Sequence, residues 1–295
     1  MPLDVSKLMA FPIPDGRQEI YARDVAFYAL SVGMGQDPLD ARQLPYVNPA
    51  ARLKIMPSIA LVMAHPGFWL ADPATGVDPA SVLHAEQSFD LLAPIPAAGI
   101  VISRSRITDL IDKGPGKGAL FVTETQLYDG MNRNFARLER TTFIRGAGGF
   151  GGKNPPKDAI DMPERAPDHV IELATRPEQA FFYSLNGDTN QIHLDPAAAT
   201  GAGLKRPILQ GLCTAGLVCH ALLRSLANYD ETRLTSVRLR FSDIVFPGET
   251  IRVEIWDCGA FRAYAAERNV MVIDRGRCAI RAIFDHAGSY PQELK

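Results

Sequence analysis

An internal repeat constrains the fold of this chain more than any other feature of its sequence. Residues 27–40, FYALSVGMGQDPLD, align without gaps on residues 182–195, FYSLNGDTNQIHLD, at a constant offset of 155. Six of the fourteen positions are identical, which is more than composition alone should give in so short a window. In a chain of 295 residues, a repeat of this period predicts two related domains of roughly equal size.

The two copies of the repeat differ in chemistry. The second copy has polar or titratable side chains where the first has glycine or proline: Asp188 aligns with Gly33, Asn190 with Gly35, and His193 with Pro38. A loop needed only for structure should be polar in both copies. The difference therefore favours a functional site in the second copy alone.

The chain between the repeats predicts the domain boundaries. Residues 104–111, RSRITDLI, resemble residues 238–245, RLRFSDIV, and this second echo supports the duplication. Residues 146–168 are rich in Gly, Pro and Lys, as linkers are. We predict an N-terminal domain at 1–150, a linker at 151–168 and a C-terminal domain at 169–295.

Both halves indicate an α+β fold. Apolar residues recur at helical spacing over 206–228 and predict a buried helix, and a shorter apolar run at 55–64 predicts its counterpart in the first half. Alternating runs predict strands at 81–91, 99–107, 119–129, 136–144, 237–241, 251–256, 269–273 and 277–284. This order predicts two antiparallel sheets, each wrapped around a central helix and paired with the other edge to edge.

Asp188 and His193 are the candidate catalytic pair. Five residues apart, they lie about 140° apart around a helix and on opposite faces of a strand, so they converge only in a loop. The segment NGDTN favours such a loop. A carboxylate and an imidazole on one water or substrate atom can act as general acid and base, with Asn190 orienting either group. The structural alternative is that these side chains only satisfy local backbone groups.

The segment FYSLNGDTNQIHLDPAAA resembles the hydratase motif of the MaoC-like, (R)-specific 2-enoyl-CoA hydratases. The similarity extends over nearly the whole chain, including LHAEQSFDL, RTTFIRGAGGFGG and RPILQGLCTAG. The resemblance implies a double hot dog fold with a catalytic site in the C-terminal half. It also implies an N-terminal half that accommodates the acyl chain.

The resemblance implies a role for each motif residue. Asp188 and His193 would form the catalytic dyad, Asn190 would support them, and the backbone N–H of Gly211 would bind the thioester oxygen. Further candidates for substrate binding are Gly187, Gln210, His84, Arg145 and Lys153. Gln210 stands where the family usually has His, and we expect it to keep a hydrogen bond beside the site.

The implied reaction is the reversible hydration of trans-2-enoyl-CoA to (3R)-3-hydroxyacyl-CoA in fatty-acid or steroid side-chain metabolism. It needs neither a metal nor another cofactor, because coenzyme A is part of the substrate. Two alternatives remain open: an acyl-CoA thioesterase, and a catalytically silent acyl-CoA-binding subunit. The glycine-rich segment GAGGFGGK departs from the phosphate-loop pattern at Ala147 and Asn154, which makes nucleotide hydrolysis a poor interpretation.

Composition limits the partners and the compartment. The net charge is −2, so no overall field favours nucleic acid or an anionic membrane. No apolar run reaches the length of a membrane span, and the four cysteines form no C-x-x-C pair, as expected of free thiols in a reducing compartment. We therefore expect a cytoplasmic protein, and by analogy a homodimer.

Overall fold

The computed structural model describes residues 3–50, 52–152 and 161–282, and within them the strands form one antiparallel sheet of ten strands. The order across the sheet is β1-β3-β4-β5-β2-β7-β10-β9-β8-β6. The strands are β1 (Gly16–Ile20), β2 (Val82–Leu91), β3 (Gly99–Asp112), β4 (Ala119–Asp129), β5 (Asn134–Ile144), β6 (His169–Ala174), β7 (Leu234–Phe241), β8 (Thr250–Ile255), β9 (Ala260–Ala265) and β10 (Val270–Ile280). The helices are α1 (Val5–Met9), α2 (Ala22–Ser31), α3 (Leu44–Val47), α4 (Gln179–Ser184), α5 (Pro196–Gly201) and α6 (Gly211–Leu226).

The two halves of the sheet meet at one seam. Strands β1 to β5 occupy one side and β6 to β10 the other, and β2 pairs with β7 between them. At the seam Phe89 lies opposite Val237, and both side chains are buried. The expected edge-to-edge pairing is thus confirmed, and it joins the two predicted sheets into one continuous sheet.

Helix α6 is the central helix of the second half. It begins at Gly211, shortly after Pro207, and ends at Leu226, inside the predicted range 206–228. Its residues from Cys213 to Leu223 are all buried, as the near absence of polar positions predicts. A Cβ on Gly216 would lie 2.4 Å from Cγ1 of Val32, so glycine at this position lets the chain that follows α2 pack directly against α6.

The predicted helix at 55–64 is wrong, because the structure forms only a 3₁₀ turn there, at Pro57–Leu61. Pro57 starts this turn, and Ala64 has φ of +49°, which a regular helix does not allow. Pro66 follows directly after His65. A segment so short between two prolines packs as a turn against α6, and the first half has no long central helix of its own among the described residues.

The strand predictions for the first half are confirmed at β2 to β5, and those at 237–241 and 251–256 fall on β7 and β8. Three short strands, β1, β6 and β9, were not predicted. The runs at 269–273 and 277–284 belong to one strand, β10, within the described residues. Its register shifts between Asp274 and Arg277, and Arg275 has φ of +52°, so the irregularity interrupts the alternation and makes one strand look like two.

The second sequence echo does not mark equivalent positions. Residues 104–111 lie in β3, the second strand from one edge, whereas 238–241 lie in β7 at the centre of the sheet. Half-buried strands often alternate charged and apolar residues, so two strands can have similar sequences although they occupy different places in the sheet.

The repeat at 27–40 and 182–195 does mark structurally related segments. The ring centroids of Tyr28 and Tyr183, which are equivalent in the repeat, lie 6.3 Å apart, and both side chains are fully buried. Asn186 Nδ2 donates to the hydroxyl of its equivalent, Ser31, at 2.9 Å. Equivalent residues that contact each other are expected near an approximate two-fold axis.

Candidate active site

The loop that follows α4 carries Asp188 and His193 and brings them together. Tyr183 anchors α4 in the core, and the chain leaves the helix through Gly187, whose φ is +112°. A 3₁₀ turn at Gln191–His193 then returns the chain toward the sheet. The Oδ2 of Asp188 and the Nε2 of His193 lie 3.9 Å apart, so the loop predicted from NGDTN lets the two side chains converge.

The hydrogen bond made by Nδ1 of His193 fixes the role of its other ring nitrogen. Nδ1 lies 2.9 Å from the carbonyl oxygen of Ile208. Because a carbonyl only accepts, Nδ1 carries a proton and donates it, and Nε2 is the ring nitrogen that faces Asp188. His193 is buried, whereas the side chain of Asp188 is 37% exposed. Asp188 Oδ2 and His193 Nε2 therefore face each other across a gap of 3.9 Å, which one water oxygen can bridge.

The backbone of the loop positions the Asp188 carboxylate. Its Oδ1 accepts from the N–H of Asn190 at 3.3 Å. The side chain of Asn190 caps the following 3₁₀ turn by accepting from the N–H of Ile192, also at 3.3 Å. Asn190 therefore shapes the turn that carries His193.

Gln210 and Gly211 lie where α6 begins. Segment 208–211 runs from the carbonyl that binds His193 to the first turn of α6, so the N–H of Gly211 belongs to a turn without partners inside the helix. A Cβ on Gly211 would meet the ring of Phe241 at 3.3 Å. Gln210 is fully buried and donates from Nε2 to the carbonyl of Ala180 at 3.0 Å, as expected of a residue that supports the site, while its Oε1 finds no partner among the described residues.

A cleft that is open to solvent at its mouth extends from this helix start across the first half of the sheet. Strands β2 to β5 form one wall, segment 61–66 and Trp69 form the other, and Leu212 of α6 lies at one end. Leu212, which follows Gly211, thus lies between the loop of Asp188 and His193 and the cleft on the N-terminal half.

His84 lies on β2 behind Phe241. The two rings pack edge to face with centroids 4.8 Å apart, and Nε2 of His84 is buried without a hydrogen-bond partner among the described residues. Burial, and secondly the charge of Arg140, lower the pKa of His84 well below its usual value. The ring is therefore neutral and contributes no charge to the site.

Arg140 and His65 are the residues that the sequence analysis missed. Both line the cleft, and both lie close enough to Asp188 for its charge to act on them. His65 is on a loop and Arg140 is on β5, far from Asp188 along the chain. No local motif links them to Asp188, and only the folded chain brings them near it.

The glycine-rich segment has a structural role. The carboxylate of Asp112 accepts hydrogen bonds from the N–H groups of Gly149 and Gly151, at 2.8 and 2.6 Å. These bonds lower the pKa of Asp112. Arg145 donates to the carbonyl of Ala80 at 2.9 Å and stays largely exposed, and Lys153 lies outside the described residues.

Family models match both halves of the chain. Residues 19–146 match the MFE-2 hydratase 2 N-terminal domain, and residues 158–275 match the MaoC-like domain. The chain is 36% identical over 265 residues to enoyl-CoA hydratase ChsH3 of Mycobacterium tuberculosis, covering 88% of this chain and 91% of that protein. It is also 35% identical to the peroxisomal enoyl-CoA hydratase 2 of Arabidopsis thaliana, covering 90% and 92%.

The chain belongs to the MaoC-like dehydratase family.

Solved structures agree with this membership. A MaoC-like dehydratase from Phytophthora capsici superposes with a TM-score of 0.83 at 33% identity, covering 95% of this chain and 99% of that one. A Mycobacterium tuberculosis protein described as a double hotdog fold superposes at 0.57, with 13% identity, over 91% and 93%. The predicted double hot dog fold is confirmed, and membership of a dehydratase family confirms the prediction of a hydro-lyase. Among the described residues of this MaoC-like chain, no helix has the length and apolar character that a bilayer span requires.

Proposed function

We propose that this MaoC-like protein hydrates trans-2-enoyl-CoA thioesters to (3R)-3-hydroxyacyl-CoA, and dehydrates the product in the reverse direction. The observation that carries the proposal is the convergence of a carboxylate oxygen and an imidazole nitrogen, Asp188 Oδ2 and His193 Nε2, 3.9 Å apart beside the start of a buried helix. Two relatives that cover most of this chain are named as enoyl-CoA hydratases, which supports the same substrate class.

The dyad geometry suits a bound water as nucleophile. A water that donates one hydrogen to Asp188 and one to His193 turns its lone pairs toward the substrate. Its oxygen forms a bond to C3 of the enoyl group while the C2–C3 double bond breaks. One water proton passes to the dyad and then to C2, so that the product gains the hydroxyl at C3 and the hydrogen at C2, and the dyad returns to its starting state.

The start of α6 suits the thioester oxygen. Negative charge builds up on this oxygen as the hydroxyl adds to C3. The N–H of Gly211 can donate to it, and the sixteen-residue helix adds a favourable dipole. In this arrangement the acyl chain enters the cleft past Leu212, on the N-terminal half. The reaction uses no metal and no cofactor apart from the coenzyme A of the substrate.

The test is to measure turnover of enoyl-CoA by Asp188→Asn and His193→Gln. The loss of conjugated thioester absorbance gives the rate, and chiral analysis gives the product configuration. We expect each substitution to lower kcat by roughly 10²- to 10⁴-fold, the usual range for general acid and base groups.

Asp195→Asn is the matched control for these variants. Asp195 lies on the same loop, but its carboxylate caps α5 by accepting from Ala197 N–H at 2.7 Å, and asparagine caps equally well. This variant should keep wild-type activity. Near-normal turnover by either dyad variant would refute the proposed roles, and release of free thiol without hydration would indicate a thioesterase.

We also propose the finer features of the organisation. They are the domain division at 1–150, 151–168 and 169–295, a role in fatty-acid or steroid side-chain metabolism, a cytoplasmic location and a homodimer. The described cysteines are free thiols, as suits a reducing compartment: Cys213, Cys219, Cys258 and Cys278. The exposed side chains of Leu30, Phe181 and Leu185 on and beside α2 and α4 give an apolar surface for a second subunit. A monomeric mass by light scattering would contradict the dimer.

A further inference from the structure

The sheet wall of the cleft on the N-terminal half carries many polar side chains, opposite the apolar side chains of the other wall. Hydroxyl and amide side chains project into it from β2, β3 and β4: Gln87, Ser103, Ser105, Thr123 and Thr125. An alkyl tail gains nothing from such groups, and it would remove them from water.

Several of these polar side chains already have partners in the protein. Gln87 Nε2 donates to the carbonyl of Glu139 at 3.0 Å, and Ser103 Oγ donates to the carbonyl of Ala64. The hydroxyls of Ser105 and Thr125 bond to each other at 2.7 Å. These four side chains make the wall polar, but their hydrogen bonds are satisfied within the protein and need no ligand.

Arg140 differs from these side chains. It lies in the same wall, on β5, and its Nε is buried without a hydrogen-bond partner. Among the residues that the structure describes, no carboxylate lies within ion-pair distance of its guanidinium. A guanidinium presents five donors in a planar fork, so this side chain has unused capacity that faces the cleft.

The surroundings make Arg140 the one fixed positive charge of the described cleft wall. Desolvation by the cleft, and secondly the charge of Arg140, lower the pKa of His65, although the residue as a whole is exposed. The pKa of His84 also lies well below its usual value, so both rings are neutral near pH 7. Burial lowers the pKa of Arg140 itself, and the charge of Asp188 only partly opposes this effect.

We propose that Arg140 binds a carboxylate at the far end of the substrate's acyl group, so that the preferred substrates are trans-2-enoyl-CoA thioesters with a terminal carboxyl group. This inference rests on the proposed hydratase function and names its substrate class. A planar carboxylate can accept two parallel hydrogen bonds from the guanidinium. The binding would satisfy a donor group that the protein leaves without a partner.

The experiment compares matched pairs of trans-2-enoyl-CoA of short, medium and long chain, each with a terminal methyl or a terminal carboxyl group. Wild-type protein should hydrate the best carboxyl substrate with a kcat/KM about 10- to 100-fold above that of its methyl counterpart, the range expected for a hydrogen-bonded charge pair. The Arg140→Leu variant should lose this preference, because its KM should rise more for the carboxyl substrate than for the methyl substrate.

Arg137→Leu is the matched control. Arg137 lies on the same strand but is exposed, and it pairs with Glu124 at 2.9 Å, so the same chemical change should leave the preference intact. Thermal unfolding of both variants checks folding, and Arg140→Lys, which keeps the charge but not the fork, should retain part of the preference.

The outcomes separate the two proposals. No hydration of any substrate by the wild type would refute the proposed function itself. Hydration with no preference for carboxyl substrates, or an Arg140→Leu variant that loses kcat equally on both members of a pair, would overturn the role of Arg140 in substrate binding and leave the hydratase activity standing.

Discussion

Gly187 shows how a single backbone conformation positions the carboxylate of Asp188. Its φ of +112° lies in the region that side chains with a Cβ rarely adopt, and it immediately precedes Asp188. No atom would clash with a Cβ at this position, so the cost of a substitution comes from the backbone alone. The turn from α4 into the loop of Asp188 and His193 depends on this conformation.

We predict that Gly187→Ala destabilises the fold by about 1 kcal/mol and lowers kcat, because the strained turn relaxes and moves Asp188 away from His193. Urea unfolding and steady-state kinetics measure the two effects. Gly201→Ala is the control, since Gly201 ends helix α5 with open space at its Cβ position and without a positive φ. Equal behaviour of the two variants would contradict the prediction.

At the residue scale, the sequence predicted the local cluster and missed the distant residues. The unequal repeat indicated Asp188 and His193, because both lie in one loop and differ from their aligned partners. Arg140 was not predictable, since its position beside the same site depends on the register of β5 with β2 and β4. A strand residue carries no sign in the sequence of which cleft it faces.

At the element scale, helix α6 contains a buried histidine that links stability to pH. His220 is 2% exposed, and its Nε2 lies 3.1 Å from the hydroxyl of Tyr229. Burial lowers the pKa of His220 to about 4. The unfolded chain, in which histidine titrates near 6.5, therefore binds this proton more readily than the folded protein.

We expect this histidine to contribute a loss of stability as pH falls from about 6.5 to about 4. The unfolded state takes up the proton first, so the free energy of unfolding decreases through this window, by about 3 kcal/mol at most, and no further below it. The measurement is urea unfolding at several pH values for the wild type and for His220→Gln. The variant should show a shallower decrease, and parallel curves would rule out His220 as the cause.

Elements were predictable where periodicity was long and regular. Helix α6 and strands β2 to β5 were predicted correctly because buried positions recur along their whole length and leave a regular apolar pattern in the sequence. The apolar run at 55–64 became a 3₁₀ turn because Pro57, Ala64 and Pro66 restrict the backbone. The three missed strands have only five or six residues each, too few for a clear alternation.

At the scale of the whole molecule, the β2–β7 seam makes the two halves one sheet. The sequence predicted this edge-to-edge pairing from the repeat, but not which strands would meet. The two tryptophans allow the coupling to be measured, since Trp69 stacks on Phe11 in the first half and Trp256 is buried in the second.

We predict that both halves unfold in one transition. In Trp69→Phe the fluorescence reports on the second half, and in Trp256→Phe it reports on the first. In each variant, the fluorescence and the far-ultraviolet circular dichroism should give the same midpoint in urea. Separate midpoints would show that the seam does not couple the halves.

The contact between the equivalent residues Tyr28 and Tyr183 has a consequence for how such a chain can change over generations. In a dimer of identical subunits, every substitution near the axis appears twice, so both copies of a loop must keep the same chemistry. Joining two copies in one gene removes that restriction. One loop could keep Asp188 and His193 while the other took Gly33, whose Cβ position lies 3.1 Å from Leu217 of α6. The half without this pair could then acquire side chains, such as the proposed carboxylate-binding Arg140, that would distinguish one substrate from another.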